Sequence, residues 1–143
     1  YISSCKWWLM IKIQKKDFDI ENEITSIKSK HKNVGAVSTF IGYVRNINKN
    51  KKVNSIYLEV YKDMAKKNLL KITEEAKKKW NLIDVLVIHR FGKLDINEKI
   101  VLVATFSIHR KKGIKACDHI MNILKKDAPF WKKEFYEKNN KWI

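Results

Sequence analysis

The chain has 143 residues, 45% of them hydrophobic and 11% aromatic, which is enough for one domain with its own core. Four Gly, one Pro and no biased run of small residues exclude a long linker, and no apolar stretch approaches the roughly 18 residues of a membrane span. The formal net charge of +16 favours anionic ligands or partners. We expect one domain over residues 10–143 and interpret residues 1–9, which lack an initiator Met, as a non-native or upstream extension.

The first half of the chain predicts short strands and two helices. Residues 8–13 alternate as a strand, and a helix follows that is capped by Asp17 or Asp19 and has apolar residues at helical spacing: Ile20, Ile24 and Ile27. Residues 35–44 predict a strand and 46–52 a loop. Residues 53–60 predict a second strand that carries on one side Val53, Ser55, Tyr57 and Glu59. Residues 61–80 predict the clearest helix, with a stripe of Ala65, Leu69, Ile72, Ala76 and Trp80.

The second half predicts two apolar strands at 83–89 and 99–108, joined through residues 91–95. A helix over about 113–126 ends before Pro129 and buries Cys117, Ile120, Ile123 and Leu124. The tail that follows is rich in aromatic residues. Because the strand pairs are too close in sequence for right-handed crossovers, we predict an α+β fold with mainly antiparallel sheet and about three helices.

The kind of basic residue qualifies the meaning of the net charge. Of the 31 basic residues 28 are Lys, a usage that often follows genome composition, and only Arg45, Arg90 and Arg110 are Arg. Since Arg offers a planar fork suited to phosphate and carboxylate, these three positions carry more weight than the Lys total. The competing interpretation is a non-enzymatic basic nucleic-acid-binding domain, which requires Lys and aromatic side chains on one exposed face.

Histidines and lysines are the other candidates for chemistry. The tripeptide Ile-His-Arg ends two predicted strands, at 88–90 and 108–110, and indicates either site residues or surface His beside salt-bridged Arg. Lys125 and Lys132 flank Pro129, so the chain can fold back and turn both amines towards one pocket with walls of Phe130 and Trp131. The alternative is that both are ordinary members of a solvated basic face. His31 and His119 are lone and predict surface or packing roles.

Several motifs are absent from the sequence. It contains no G-x-x-x-x-G-K-[ST], G-x-G-x-x-G or H-E-x-x-H motif and no Ser or Cys nucleophile motif. Cys5 and Cys117 are far apart and form no C-x-x-C, which disfavours a disulfide framework and a zinc site and fits a reducing cytoplasm. We therefore expect chemistry without metal or cofactor that depends on Lys, Arg and His.

Five segments in order resemble the large subunits of molybdopterin synthase. They are Gly35-Ala36-Val37 through Phe40-Ile41-Gly42-Tyr43-Val44-Arg45; Leu58-Glu59 with Tyr61 and Met64; Val87 to Gly92; Ser107 to Arg110; and Leu124-Lys125 followed by Ala128-Pro129-Phe130-Trp131-Lys132-Lys133-Glu134. The resemblance covers residues 10 to 142 and is specific because the segments keep the order of the family. It implies an α/β-hammerhead fold and a sulfurtransferase of molybdenum-cofactor biosynthesis.

The resemblance also implies partners and site residues. The partners are a second large subunit and two small ubiquitin-like sulfur carriers, which complete a heterotetramer, and the carrier's C-terminal Gly-Gly thiocarboxylate supplies sulfur to cyclic pyranopterin monophosphate. No nucleic acid or membrane partner is implied. The catalytic lysines of the family match Lys125 and Lys132, and the substrate-binding positions match Arg45, His109, Arg110, Lys133 and Glu134. Asp127 departs from the neutral or basic residue of many relatives and puts an acidic group near the pocket.

Overall fold

The protein combines two sheets and three helices in the part that is described by the structure, a computed structural model covering residues 10–127, 130–136 and 140–142. Residues 1–9, interpreted above as an extension, lie outside that part. The helices are α1 (Ile20–Lys28), α2 (Lys62–Trp80) and α3 (Arg110–Asp127). The strands are β1 (Ile11–Gln14), β2 (Ala36–Tyr43), β3 (Ile47–Asn48), β4 (Lys51–Val60), β5 (Asp84–Arg90), β6 (Gly92–Asp95), β7 (Lys99–Ser107), β8 (Phe130–Tyr136) and β9 (Asn140–Trp142).

The first sheet forms the centre of the fold. Its strand order is β1-β5-β7-β2, with β1 and β5 parallel and the other pairs antiparallel. Helices α2 and α3 cover one face over Val85, Val87 and Val103, and α1 packs on the other face. Strands β5 and β7 are thus buried on both faces, which is why their sequences are almost continuously apolar.

The second sheet surrounds β4. Strands β3, β6 and β8 pair antiparallel with β4, and β9 pairs with β8. A small core beneath it contains Val44, Val53, Ile56, Leu58 and Leu94. The predicted α+β class, with mainly antiparallel sheet and about three helices, is confirmed for the described residues. No helix among them is long and apolar enough to cross a membrane.

Local signals explain where the helices begin and end. The carboxylate of Asp19, one of the two predicted caps, accepts a hydrogen bond of 3.0 Å from the backbone N–H of Asn22 and so caps α1. Helix α2 ends at Asn81, whose left-handed φ of 50° is tolerated by Asn. The predicted stripe of α2 is confirmed, since Ala65, Leu69 and Ile72 are buried against the first sheet.

Two predictions around β4 are wrong. The run 46–52, predicted as a loop, forms a tight hairpin between β3 and β4, because Lys49 and Asn50 adopt positive φ angles of 52° and 64°. The predicted face of β4 fails after Ser55: Tyr57 is exposed, while Ile56 and Leu58 are buried. A register shift against β8 between Val53 and Ser55 changes which side chains point inward.

Three further strands, β6, β8 and β9, have no sequence prediction. The connection predicted at 91–95 contains β6, which pairs with β4 through Leu94 opposite Ile56. The aromatic tail forms β8 and β9, with Phe130 opposite Val60 on β4. Strands β6 and β8 gain their order by pairing with β4, and β9 by pairing with β8, so their own short sequences carry little signal.

Candidate functional site

A cavity of about 570 Å³ lies between β2 and α3, and we call it the apolar cavity. Its lining is mostly apolar, with Lys125 at the C-terminal end of α3. The residues that line it are Ser38, Thr39, Phe40, His89, Val101, Ile114, Cys117, Asp118, Met121, Asn122, Leu124 and Lys125. A cavity of this size can enclose a small organic molecule, with a few polar groups to orient it.

A second, smaller pocket of about 50 Å³ carries two cations, and we call it the cationic pocket. Arg45 follows the end of β2, and Lys132 lies on β8. The remaining lining residues are Tyr43, Val44, Ile47, Asn48, Ile56 and Ile100. A guanidinium and an ammonium in one concave pocket suit a phosphate or a carboxylate.

The apolar cavity and the cationic pocket are neighbours along β8. The ring of Phe130 stacks on His89 of the cavity wall, with ring centroids 3.7 Å apart. Lys132 lies two residues further along the strand, about 7 Å away and on the same side of it. The fold therefore brings Lys125, Lys132 and Arg45 around one stretch of surface, although Lys125 and Lys132 line different pockets.

The other predicted site residues lie elsewhere. His109 and Arg110 are exposed at the N-terminal end of α3, and Lys125 is about 22 Å away at the helix's other end. His109 and Arg110 also lie near the Ala36 end of β2, because Ala36 pairs with Ser107. Arg45 follows the other end of β2, so the length of this strand, about 23 Å, separates it from them. Lys133 and Glu134 pair with Tyr57 and Ile56 through the backbone, and their side chains are outside the described part.

Close packing holds the N-terminal end of α3 against the first sheet. A Cβ added at Gly113 would approach the hydroxyl oxygen of Ser107 to 2.7 Å, so only Gly allows this distance between helix and strand. The hydroxyl of Thr105 donates a hydrogen bond of 2.7 Å to the carbonyl of Gly113. This packing fixes the direction in which His109 and Arg110 leave β7.

The two Ile-His-Arg segments differ in role. Arg90 is buried and donates to the carbonyl of Lys15 at 3.0 and 3.1 Å, to that of Lys99 at 3.0 Å and to the carboxylate of Glu98 at 3.2 Å. It thereby joins the end of β1 to the start of β7 and has a structural role. His89 lines the apolar cavity. Nothing in the sequence distinguishes it from its counterpart His109, and the only signal of a site role is its position at the end of an apolar strand.

The environment of His89 keeps its ring neutral. Burial lowers the pKa of His89 to about 4, against a smaller opposing effect of its hydrogen bond to the carbonyl of Arg90. The two lone histidines have the predicted surface or packing roles. His31 lies 3.0 Å from the carboxylate of Asp84, and His119 packs on Trp80.

Cys117 is the one cysteine in the described residues, and it lines the apolar cavity as a free thiol. Burial raises its pKa to about 11, and the negative charge of Asp118 adds to the rise. Since the thiolate is the nucleophilic form, this thiol is unreactive at neutral pH.

The described residues form an α+β fold in which Lys125 lies at the end of the apolar cavity and Arg45 and Lys132 line the cationic pocket, an arrangement suited to an anionic organic ligand. The sequence model of the family described as "MoaE protein" matches residues 13–127. The chain belongs to this family, and the resemblance predicted from its five segments is confirmed.

Known members of this family are similar to the chain in sequence and structure over almost its whole length. The chain is 45% identical over 133 residues to the molybdopterin synthase catalytic subunit of Ralstonia nicotianae, covering 93% of this chain and 76% of that protein. Molybdopterin synthase from Staphylococcus aureus has a similar structure, with a TM-score of 0.84 and 32% identity over 92% of this chain and 95% of that one. A structure titled as the complex of subunits 1 and 2 of the molybdopterin-converting factor from Helicobacter pylori shares the fold alone, with a TM-score of 0.77 and 21% identity over 93% of this chain and 89% of that one.

Proposed function

We propose that this chain, as the catalytic subunit of molybdopterin synthase, transfers two sulfurs from a thiocarboxylated small carrier to cyclic pyranopterin monophosphate, giving the dithiolene of molybdopterin. Family membership makes it a sulfurtransferase-type enzyme of molybdenum-cofactor biosynthesis. The observation that carries the proposal is the apolar cavity with Lys125 at its end, next to the cationic pocket of Arg45 and Lys132. A cytoplasmic location belongs to the proposal.

Charge supports a division of the site into two parts. The cyclic phosphate and the thiocarboxylate are both anions, and their repulsion is costly in a partly desolvated pocket unless cations separate them. In this proposal Arg45 and Lys132 hold the phosphate in the cationic pocket, and Lys125 contacts the thiocarboxylate. Lys132 is also a candidate for proton transfer. The apolar cavity accommodates the planar ring system of the pterin.

The sulfur nucleophile comes from the partner in this proposal. The sequence contains no nucleophile motif, and the thiol of Cys117 is held in its unreactive form. The carrier's C-terminal Gly-Gly tail is narrow enough to enter a pocket between a helix and a strand. The large positive charge of the chain attracts this anionic tail and speeds its encounter with the site.

A homodimer completes the site in the proposal. His109 and Arg110 lie about 22 Å from Lys125 in one chain. In a two-fold symmetric dimer, however, the N-terminal end of α3 in one copy can lie beside the C-terminal end of α3 in the other. Strand β2 is an edge strand of the first sheet among the described strands, and Phe40, Ile108 and Ile114 expose apolar side chains near it. A second copy on this face brings its His109 and Arg110 towards the lysines. The carriers at the two ends make a heterotetramer.

The direct test mixes the purified chain with thiocarboxylated carrier and cyclic pyranopterin monophosphate and measures molybdopterin. We expect product formation that depends on both reactants and is unchanged by added duplex or single-stranded nucleic acid at about 0.15 M salt, where screening weakens non-specific phosphate contacts. Absence of product, together with tight nucleic-acid binding under these conditions, would contradict the proposal and favour the basic nucleic-acid-binding domain.

Replacing Cys117 with Ser should leave this activity within about twofold of the unmodified chain, because a thiol with a raised pKa does not act as a sulfur carrier. The native protein should also resist alkylation at Cys117 at neutral pH. The checks are the molybdopterin assay and mass spectrometry after iodoacetamide. An activity loss above about tenfold at unchanged melting temperature would give the thiol a part in the reaction.

A further inference from the structure

The position of His89 is unusual within its strand. Side chains on β5 alternate between two faces, and Val85 and Val87 point into the core beneath α2 and α3. His89 takes the next place in this row, opposite Val101 of β7, and its ring lines the apolar cavity. A polar ring therefore stands where the row otherwise carries valine.

The hydrogen bond of His89 defines which of its nitrogens carries the proton. Nδ1 lies 2.9 Å from the carbonyl oxygen of Arg90, which can only accept, so Nδ1 is the donor. The neutral ring then leaves Nε2 as an acceptor with a free lone pair. Stacking on Phe130, at an interplanar angle of 19°, holds the ring in this orientation.

Among the side chains that the structure describes, none forms a hydrogen bond with Nε2. No buried side-chain nitrogen or oxygen among them lacks a hydrogen bond, so Nε2 is reached from the cavity. The charged side chains that share the cavity with it, Asp118 and Lys125, both come from α3. Strand β2 contributes Ser38 and Thr39 to the lining, and the ring of Phe130 on β8 stacks on His89.

We propose that Nε2 of His89 accepts a hydrogen bond from an N–H or O–H donor of the pterin ring system and so orients the substrate in the apolar cavity. This role rests on the function proposed above. A pterin is planar and carries N–H donors along its edge, which an acceptor fixed in an apolar wall can select. Burial keeps the imidazole unprotonated at neutral pH, so the acceptor is present under working conditions.

Two substitutions separate this role from packing. In His89→Asn the amide nitrogen takes the place of Nδ1 and can still donate to the carbonyl of Arg90, but no acceptor remains at the position of Nε2. In His89→Gln the amide oxygen reaches about as far as Nε2 and restores an acceptor there. Both variants lose the stacking contact with Phe130, so a packing role affects both alike.

The measurement is the dissociation constant of the cyclic pterin, titrated into the chain without carrier and without oxygen. We expect His89→Asn to weaken binding about fivefold to tenfold relative to His89→Gln at similar melting temperatures, which is the effect of one hydrogen bond. Equal affinities of the two variants would overturn the role of His89. Failure of the unmodified chain to bind the pterin would instead overturn the proposed function.

A second measurement needs no substitution. In the unmodified chain with ¹⁵N-labelled histidine, pterin binding should shift the Nε2 resonance of His89, because accepting a hydrogen bond changes the shielding of an unprotonated ring nitrogen. The Nδ1 resonance, which reports the bond to Arg90, should stay in place. An Nε2 resonance that does not move at saturating pterin would refute the contact even if the variants did not fold.

Discussion

Lys125→Ala and Lys132→Ala should each lower molybdopterin formation by about 100-fold or more, the usual cost of removing one charged group that stabilises a transition state. Lys125 supplies the ammonium at the end of the apolar cavity, and Lys132 shares the cationic pocket with Arg45. Circular dichroism and melting temperature should stay close to those of the unmodified chain for Lys125, whose side chain is exposed. Initial rates with carrier and cyclic pterin provide the measurement.

Matched lysines serve as controls for this prediction. Lys126 is exposed on the same last turn of α3 and lies outside the lining of the apolar cavity, so Lys126→Ala should keep near-normal rates. Lys93 is exposed on β6, so Lys93→Ala is the matched control for Lys132→Ala, because both lysines belong to the second sheet. Equal losses in the control variants would indicate a general effect of surface charge, and unchanged turnover in Lys125→Ala or Lys132→Ala would remove that residue from the catalytic group.

A mixture of Lys125→Ala and Arg110→Ala chains should recover activity that neither variant shows alone. If Lys125 of one copy works with Arg110 of the other, each mixed dimer has one site with both substitutions and one site with none. Random exchange then yields about 25% of the intact sites, since about half of the dimers are mixed. The chains are refolded together, and the rate is compared with those of the separate variants.

The control mixture combines Lys125→Ala with Lys132→Ala, both on the cavity side of the proposed site. Each site of such a mixed dimer lacks one lysine, so this mixture should stay inactive. Two outcomes would contradict a site shared between two copies: recovery of activity in the control mixture, or no recovery in the mixture of Lys125→Ala with Arg110→Ala. Size-exclusion chromatography confirms that both mixtures form dimers.

The local elements and the family were accessible from the sequence because their signals are local. The stripe on α2, the cap at Asp19 and the apolar runs of β5 and β7 follow from spacing and burial that adjacent residues determine. The segment around Lys125 and Lys132 was recognisable through its resemblance to the family, whereas two lysines that flank a Pro are by themselves equally consistent with a solvated basic face. The strand pairing near β4 was not recognisable, because the register shift at Val53 and Ser55 arises from contact with β8, about 80 residues later.

The arrangement of the candidate site was decided by tertiary structure. Two identical Ile-His-Arg segments have different roles: Arg90 is buried by contacts with β1 and β7, whereas Arg110 is exposed where α3 begins. Phe130 covers His89 because β8 pairs with β4, a contact between residues distant in sequence. Residue types and spacing determine which groups can react. Burial, in contrast, is produced by segments far apart in the chain. This burial lowers the pKa of His89, which makes it a neutral acceptor, and raises the pKa of Cys117, which makes it an unreactive thiol.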